Sequence, residues 1–335
     1  MFDIVTLGTI TRDVFIRSPL FGAAKEKSRV ERITFASGEA QCFALGSKIK
    51  VEKPVFAGGG GAHNAAITFA RQGFRTAVIG AIGDDLAGKE IVKSLKSEGI
   101  RPFVGTREKL GTGYAVILMA PGGERTILVY RGATDAIRNE DISHAKTKAR
   151  WAYVVPGEIP LSVIGSFVSS MKKNGTKIAM NPSRQYLSMK KSEIEKLFGR
   201  LDAIIMNREE ASLFTNVPYR EERKIFKELD RIVPGIAVMT DGARGASASD
   251  GSYVYRAGIF RDRGVLDRTG AGDAFGSGFV AGLLQGGGDV GHALRLGAAN
   301  ATSVVECVGA TAGVLRARDF SRPRWKNVEL DIERL

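Results

Sequence analysis

Asp267-Arg-Thr-Gly-Ala-Gly-Asp-Ala-Phe-Gly-Ser-Gly-Phe279 is the stretch that most strongly indicates the fold. Its Gly270-Ala-Gly272 turn runs into small and apolar residues, which predicts a helix over Gly272–Leu284. The first turn of a helix has unpaired N–H groups and favours an anion. Asp273 lies there, where a carboxylate can take a proton while the amides hold developing negative charge. The motif alone leaves a second interpretation open, an N-cap with glycines in a tight turn.

Further motifs extend this pattern along the chain. Gly58-Gly-Gly-Gly-Ala-His-Asn64 opens a second predicted helix, and Gly8-Thr-Ile-Thr-Arg-Asp13 follows the first predicted strand. Together these stretches resemble the ribokinase-like (PfkB) carbohydrate kinase family, through its Asp-Thr-Thr-Gly-Ala-Gly-Asp and Gly-Gly-x-x-x-Asn signatures. The resemblance extends from residue 2 to about residue 316. Other matches, in the family's order, are Gly83-Asp-Asp85, Glu158-Ile-Pro160, Asn207-Arg-Glu-Glu210 and Thr240-Asp-Gly-Ala-Arg-Gly245.

Composition limits the class of protein. The 335 residues are 44% hydrophobic, enough for one large α/β domain over residues 1–335. Two cysteines, Cys42 and Cys307, argue against a disulfide framework and fit a reducing cytoplasm. The start of the chain predicts a buried strand rather than a signal peptide, and no apolar stretch is long enough to span a membrane. The net charge of +13 is scattered among acids, so we expect a basic surface and no nucleic-acid partner.

Short apolar runs alternate with amphipathic helical stretches, which predicts a mostly parallel sheet covered on both faces. With the resemblance, the expected fold is a ribokinase-like three-layer α/β/α sandwich whose ligands bind at the carboxyl edge of the sheet. The predicted strands are Ile4–Leu7, Thr76–Ala81, Trp151–Val155, Lys177–Met180, Ala203–Met206 and Ile236–Thr240. The predicted helices are Ala62–Arg71, Leu86–Glu98, Leu161–Lys173, Glu221–Arg231, Gly272–Leu284 and Val290–Glu306.

Two segments, residues 14–56 and 111–131, do not follow this alternation of strands and helices, and their composition favours antiparallel strands. In the family such strands form a small β-sheet lid over the sugar, which would exclude water from the reaction. An exposed edge strand of such a lid often pairs with its twin, so a homodimer is expected. The tail from Arg316 to Leu335 is predicted to be peripheral.

The resemblance assigns catalysis and substrate binding to specific residues. Asp273 would be the base that accepts a proton from the substrate hydroxyl. Backbone N–H groups of Gly270, Ala271 and Gly272 would hold the transferring phosphoryl group. Carboxylates and amides suit the recognition of sugar hydroxyls. The residues that match the family's sugar-binding positions are Asp13, Gly59, Gly60, Asn64 and Glu158.

The nucleotide side follows from the same resemblance. ATP and Mg²⁺ are the implied cofactors, with Glu210 near the metal through water. The Asn207–Glu210 pair also has the spacing of a helix N-cap, and the two roles are compatible. The residues implied on the nucleotide side are Asn207, Glu210, Thr240, Gly242, Gly245 and, on a later helix, Asn300.

The residues around a monovalent cation site depart from the family pattern. Asp267 and Thr269 match positions that surround K⁺, but Arg268 replaces the usual small hydroxyl residue. A guanidinium there either replaces or repels the cation, or it points outward or toward an ATP phosphate. The sequence leaves these alternatives, and with them K⁺ activation, open.

A sugar kinase of the ribokinase or fructokinase type is the leading hypothesis. A nucleoside kinase is the alternative, because aromatic residues of the lid segments would suit stacking on a base or form the lid's own core. These residues are Phe15, Phe35, Phe43 and Phe56. A non-catalytic ligand-binding protein is disfavoured because Asp273 and the glycines of its turn are present. A dinucleotide-binding oxidoreductase is disfavoured because no dinucleotide fingerprint follows the first strand.

Overall fold

The computed structural model describes residues 1–19, 21, 23–25, 39–120, 125–144, 148–326 and 328–335. The strands are β1 (Phe2–Gly8), β2 (Thr11–Arg17), β3 (Ala23–Lys25), β4 (Glu39–Gln41), β5 (Val55–Gly59), β6 (Thr76–Gly83), β7 (Arg101–Arg107), β8 (Gly113–Met119), β9 (Arg125–Tyr130), β10 (Ala149–Val155), β11 (Lys177–Met180), β12 (Ala203–Asn207), β13 (Ile236–Thr240), β14 (Ala246–Ser249), β15 (Tyr253–Ala257) and β16 (Leu330–Arg334). The helices are α1 (Gly61–Arg71), α2 (Leu86–Ser97), α3 (Asn139–His144), α4 (Leu161–Lys173), α5 (Arg184–Leu187), α6 (Lys191–Phe198), α7 (Arg208–Thr215), α8 (Glu222–Ile232), α9 (Ala271–Gln285), α10 (Val290–Val305) and α11 (Ala317–Phe320).

The large sheet has the strand order β16-β15-β14-β13-β12-β11-β10-β1-β6-β7. Strands β13 through β7 in this order pair in parallel, whereas β14, β15 and β16 pair antiparallel. Each strand predicted from an apolar run lies in its parallel part. The predicted mostly parallel α/β fold is therefore confirmed.

Both faces of this sheet are buried, as the continuous apolar runs indicated. Successive side chains of a strand point to opposite faces, so Val5 and Leu7 of β1 pack on one side and Ile4 on the other. Helices α4, α6 and α8 cover the first side, and α1, α9 and α10 cover the second. Gly282 of α9 allows α10 to approach closely, because a Cβ there would lie 2.5 Å from the Ala293 Cα.

A separate small sheet with the order β5-β2-β8-β9, here called the lid, contains the strands expected beside the sugar site. β2 pairs with β5, and β8 with β9, in antiparallel fashion, but β2 pairs with β8 in parallel. The prediction of an antiparallel lid was therefore wrong for its central pair. The lid strands also begin at Thr11 and reach Gly59, beyond the expected 14–56. Phe35 lies outside the described residues.

The expectation of a peripheral C-terminal tail was wrong. β16 is the edge strand of the large sheet and pairs antiparallel with β15. Trp325 is buried and packs edge-on against Phe260, with ring centroids 5.2 Å apart. The tail therefore completes both the sheet and the apolar layer beneath it.

Two expectations from composition can be compared with the structure. Cys42 and Cys307 are both free thiols. Within the described ranges, no helix combines the length and the apolar character needed to cross a membrane.

Candidate active site

The glycine run at the start of α1 is docked against the end of β1. Gly61 N–H donates to Thr9 Oγ1 at 2.9 Å, and Ala62 N–H donates to the Thr9 carbonyl at 3.2 Å. Gly60 has φ 87°, and a Cβ there would lie 2.4 Å from the Thr9 carbonyl oxygen. This position therefore requires glycine for both its conformation and its space. The contacts fix the N-terminus of α1 at the carboxyl edge of the sheet.

A hydrogen bond joins the first turns of α1 and α9. Asn64 Nδ2 donates to Asp273 Oδ2 at 2.9 Å, although the two residues are 209 positions apart. Burial raises the pKa of the Asp273 carboxyl, and the bond from Asn64 lowers it in part. A carboxylate with a raised pKa that is held in a defined orientation suits a general base.

Asp13 approaches the same glycine run from the lid. It lies on lid strand β2. A Cβ on Gly59 would lie 2.0 Å from Asp13 Oδ2, and one on Gly61 would lie 3.2 Å from Asp273 Oδ1. Both carboxylates therefore border one short length of backbone. Burial, together with the charge of Asp273, raises the pKa of Asp13 to about 6, although the Thr11 hydroxyl donates to it at 2.8 Å.

Glu158 follows β10 at the same edge of the sheet, but its side chain is exposed. Its Oε1 forms an ion pair with Arg131 Nη2 at 3.1 Å, and its N–H donates to Asp135 Oδ1 at 3.4 Å. Arg131 directly follows lid strand β9. The Glu158 carboxylate is therefore already engaged by the lid, and a ligand would share it with Arg131.

The backbone of Gly270, Ala271 and Gly272, here called the cradle after the role that the sequence predicts for it, forms the turn at the N-terminus of α9. Gly270 is the N-cap of α9 with φ 79°, which favours glycine. The Ala271 N–H donates weakly to the Arg268 carbonyl at 3.3 Å, and the N-terminus of the helix supplies the remaining first-turn amides.

A cavity of about 340 Å³ opens on the other side of this cradle. Its walls are mainly apolar, with Phe260 and Phe275 among them, and Arg268 also lines it. Arg268 is exposed at this cavity, which fits two of the alternatives that the sequence left open, a side chain that points outward or one that points toward an ATP phosphate. The predicted residues that line the cavity are Thr240, Gly242, Gly245, Ala271 and Gly272.

Asn207 and Glu210 form a capping box at the start of α7. Asn207 Oδ1 accepts from the Glu210 N–H at 2.7 Å, and Glu210 Oε2 accepts from the Asn207 N–H at 3.0 Å. Asn207 lines a shallow groove beside Thr240, next to the nucleotide cavity. The described residues contain no group of three or more His, Cys, Asp or Glu side chains that could hold a metal.

Asp267 and Thr269 lie side by side under the cradle. Asp267 is fully buried, and its carboxylate accepts from the N–H groups of Thr269 at 2.9 Å and Gly309 at 3.0 Å. The Thr269 hydroxyl oxygen is buried and has no hydrogen-bond partner among the described residues. An anion and an unsatisfied hydroxyl in a buried place fit a small cation.

Asn300 does not have the position expected for it. Its side chain is fully buried and does not line the cavity. Its Nδ2 donates to the Ala274 carbonyl at 2.8 Å, and its Oδ1 accepts from the Leu315 N–H at 2.9 Å. We therefore remove Asn300 from the nucleotide-binding residues, because its amide joins α9, α10 and the segment that follows them.

Two residues of this site escaped the sequence analysis. Arg131 belongs to no motif, and only the fold brings it to Glu158. His63 stands inside the second motif, but the sequence alone does not distinguish a lone histidine there from a core residue. Its Nδ1 lies 3.3 Å from Asn64 Oδ1, which is a contact with the network around Asp273.

Several known proteins are similar to this chain in sequence or in architecture. The profile of the pfkB family of carbohydrate kinases matches residues 33–317. A ribokinase from Haemophilus influenzae is 31% identical over 269 residues, which cover 76% of this chain and 83% of that protein. The structure of Arabidopsis thaliana ribokinase complexed with ribose and ATP has a TM-score of 0.75, 21% identity and coverage of 97% and 99% of the two chains. Adenosine kinase from Sinorhizobium meliloti has a TM-score of 0.77, 22% identity and coverage of 95% and 98%.

The fold and the site thus define a phosphotransferase that acts on a hydroxyl group. The chain belongs to the pfkB family of carbohydrate kinases. It follows from this membership that the protein is a sugar kinase of the ribokinase family.

The raised pKa of Asp13 predicts a specific pH dependence of stability. The folded-state pKa of about 6 exceeds the ordinary value of 3.8, so ionised Asp13 destabilises the fold at high pH, and this cost declines as pH falls through 6. We expect Asp13→Asn to raise the free energy of unfolding by about 3 kcal/mol at pH 7.5 and by about half of that at pH 5. Urea denaturation at both pH values measures the difference.

Asp3→Asn is the matched control for this experiment. Arg75 lowers the pKa of Asp3, so its ionised form stabilises the fold and the substitution should destabilise the protein at pH 7.5. Equal effects of the two substitutions, or an Asp13→Asn protein less stable than the wild type at pH 7.5, would contradict the assigned environment of Asp13.

Proposed function

We propose that the protein transfers the γ-phosphate of ATP to a hydroxyl group of a sugar, with Asp273 as the general base. The observation that carries this proposal is the position of Asp273 between two sites. Ala271 and Gly272 line the nucleotide cavity. Asp273, the next residue, bonds to Asn64 and borders the glycine run beside Asp13. A hydroxyl held there would face the cradle and the base together.

The chemistry follows from this arrangement. The Asp273 carboxylate accepts the proton of the sugar hydroxyl as its oxygen attacks the γ-phosphorus. The bond to the leaving oxygen of ADP breaks while the cradle N–H groups stabilise the negative charge on the transferred phosphoryl group. Asp13, Asn64 and the backbone at Gly59 and Gly60 orient the sugar, and lid strand β2, which carries Asp13, covers it. The exposed Glu158 would contact the sugar only by sharing its carboxylate with Arg131.

A sugar is favoured over a nucleoside by the positions of the lid phenylalanines. Phe15 is buried in the lid core, so it offers no surface to a base. Phe56 is directly opposite Val14, and therefore lies on the face of the lid away from Asp13. Phe43 packs edge-on against Phe21. The stacking hypothesis therefore has no support from the three phenylalanines that the structure describes.

Mg²⁺ fits this site as an ion held mainly by nucleotide phosphates. Glu210 uses one carboxylate oxygen in its capping box, and its other oxygen is available toward water or the metal. Mg²⁺ retains several waters and needs few protein carboxylates, which agrees with the capping pair. When bound, it would neutralise charge on the phosphates of ATP. Asn207 and the loop from Thr240 to Gly245 would then position the nucleotide.

The test of the proposal is ADP formation from ATP and Mg²⁺ with ribose, fructose, other ketoses, sugar phosphates, adenosine, inosine and guanosine. We expect turnover on a sugar, and a loss of about 10²–10⁴-fold in kcat for Asp273→Asn with ATP binding retained. Glu228→Gln, a substitution on the exposed face of α8, is the control and should leave kcat unchanged. Turnover of a nucleoside alone would select the alternative function, and an Asp273→Asn protein with full activity would overturn the proposed base.

We further propose that K⁺ binds beside Asp267 and Thr269 and stabilises the turn that carries the cradle. Its support is the buried carboxylate, for which the described residues provide no ion-pair partner, and the unsatisfied Thr269 hydroxyl. Arg268 lines the nucleotide cavity, so nothing in its position requires that it replace the cation.

K⁺ activation is tested by steady-state rates in K⁺ and in tetramethylammonium, which is too large for a buried site. We expect K⁺ to raise kcat several-fold, on the order of 1 kcal/mol of added stabilisation of the transition state. Thr269→Val, which removes the hydroxyl and keeps the shape, should weaken this activation. Equal rates in the two salts would show that no cation acts there.

A homodimer through the lid is the third proposal. β9 is the outer strand of the lid, and four consecutive apolar side chains, Ile127 to Tyr130, are 42–56% exposed. An apolar edge strand with unpaired backbone groups favours pairing with a second copy. Sedimentation equilibrium should find a dimer that Leu128→Asp converts to a monomer. A monomeric wild-type protein would contradict this assembly.

A further inference from the structure

His63 is a buried titratable group in contact with Asn64 for which the proposed mechanism has no use. It lies in the first turns of α1 and is 2% exposed. Its Nδ1 is 3.3 Å from Asn64 Oδ1. A Cβ on Gly58 would lie 2.4 Å from its Nε2, so the ring packs directly under the backbone at the end of lid strand β5. The ring therefore has little room to turn away from Asn64.

The chemistry of the neighbours assigns the protons of this group. An ionised Asp273 can only accept, so the Asn64 atom that faces it must be the amide nitrogen. Asn64 Oδ1 then faces His63 and can only accept, so Nδ1 of His63 must carry a proton. Nε2 is left as the unprotonated nitrogen of a neutral ring. It is buried, with no hydrogen-bond partner among the described residues.

The surroundings keep this ring neutral. Burial is the main cause that lowers the pKa of His63 to about 4; Arg71 lowers it further, while the bond to Asn64 and the charge of Glu98 oppose the shift. Arg71 and Glu98 pair with each other at 2.6 Å, so their effects on the ring largely cancel. His63 is therefore a permanent Nδ1 donor at the pH of an ordinary kinase assay.

We propose that His63 is a positioning residue that fixes the orientation of the Asn64 amide and, through it, the position and basicity of Asp273. The donors run in one direction, from His63 Nδ1–H to Asn64 Oδ1 and from Asn64 Nδ2–H to Asp273 Oδ2. Without the first bond, only the contact with Asp273 holds the Asn64 amide, so the amide rotates by half a turn more easily. It would then present its oxygen to the carboxylate, which is repulsive.

The position of His63 also connects the lid to this network. The backbone of Gly58, the next-to-last residue of β5, packs against the ring, and the last residue of the strand, Gly59, borders Asp13. A displacement of β5 therefore changes the support of the ring that holds Asn64. The inference rests on the proposed role of Asp273 and adds to it a defined amide orientation, set by a residue that contacts neither substrate.

Two substitutions of similar size separate the hydrogen bond from packing. His63→Asn places an amide nitrogen where Nδ1 stands, and His63→Leu places a methyl group there. We expect His63→Leu to lower kcat about 10-fold, the effect of one lost hydrogen bond. His63→Asn should retain kcat within a few-fold of the wild type. Both variants lose the rest of the ring, and the buried Asn amide keeps one polar atom without a partner, so urea denaturation should find His63→Asn no more stable than His63→Leu. A lower kcat in His63→Leu would then not come from a loss of stability.

The pH profile provides a readout that a packing role would not change. The bond from Asn64 lowers the pKa of Asp273, so its loss in His63→Leu should move the acid limb of kcat/KM to higher pH. Asp13 on β2 and Tyr153 on β10 also act electrostatically within this group and are the same in both variants. The limb should stay in its wild-type position in His63→Asn.

Two results would overturn the inference. These are equal kcat in the Leu and Asn variants, whether lowered or at the wild-type level, and an unshifted acid limb in His63→Leu. Failure of the proposed function is distinguishable from these, because Asp273→Asn would then retain its rate. An inactive Asp273→Asn protein with indistinguishable His63 variants would reject the role of His63 alone.

Discussion

The hydrogen bond between Asn64 and Asp273 is the constraint on which the rest of the site depends. It requires that two helices far apart in sequence begin within a few ångströms of each other, and that a carboxylate be partly withdrawn from water. The fold meets the first requirement with backbone contacts, since Thr9 anchors the start of α1 and glycines let α9 and α10 pack closely. It meets the second with a single amide donor, which opposes the desolvation of Asp273 without neutralising its charge. A general base needs a carboxylate that is basic enough to accept a proton and still ionised before the reaction, and these two opposing effects favour such a carboxylate.

The separation of the two substrates follows from the same helix start. Ala271 and Gly272 line an apolar cavity suited to a nucleotide, whereas the next side chain, Asp273, turns toward Asp13 and the glycine run. In the proposed mechanism, one turn of backbone divides the ATP site from the sugar site and supplies the amides between them. The buried Asp13 is costly to stability at neutral pH, which is typical of a residue retained for binding rather than for folding. Asp13 is part of the lid, and the lid holds it where the sugar hydroxyls are expected.

Sequence could predict the parts of this molecule that depend on local patterns. The strand Lys177–Met180 and the helix Leu161–Lys173 have the predicted bounds, because an apolar run and an amphipathic period are properties of contiguous residues. Leu330–Arg334 alternates with charges and lacks such a run, so its pairing with β15 was not predictable. The parallel pairing of β2 with β8 depends on residues far apart in the chain. Asn300 stands on a helix with small residues on every side, where no pattern shows which face is buried. The orientation of the His63 ring has no sequence signal.

The measurement that most directly tests this account is a crystal structure of the protein with ADP, aluminium fluoride and the sugar that it phosphorylates. The account predicts a sugar hydroxyl oxygen within about 3 Å of an Asp273 carboxylate oxygen, in line with the fluoride group, which accepts hydrogen bonds from the cradle N–H groups. Asn64 would contact Asp273 or the sugar through its nitrogen. A hydroxyl directed instead at Asp13 or Glu158, with Asp273 out of reach of the reacting oxygen, would contradict the account.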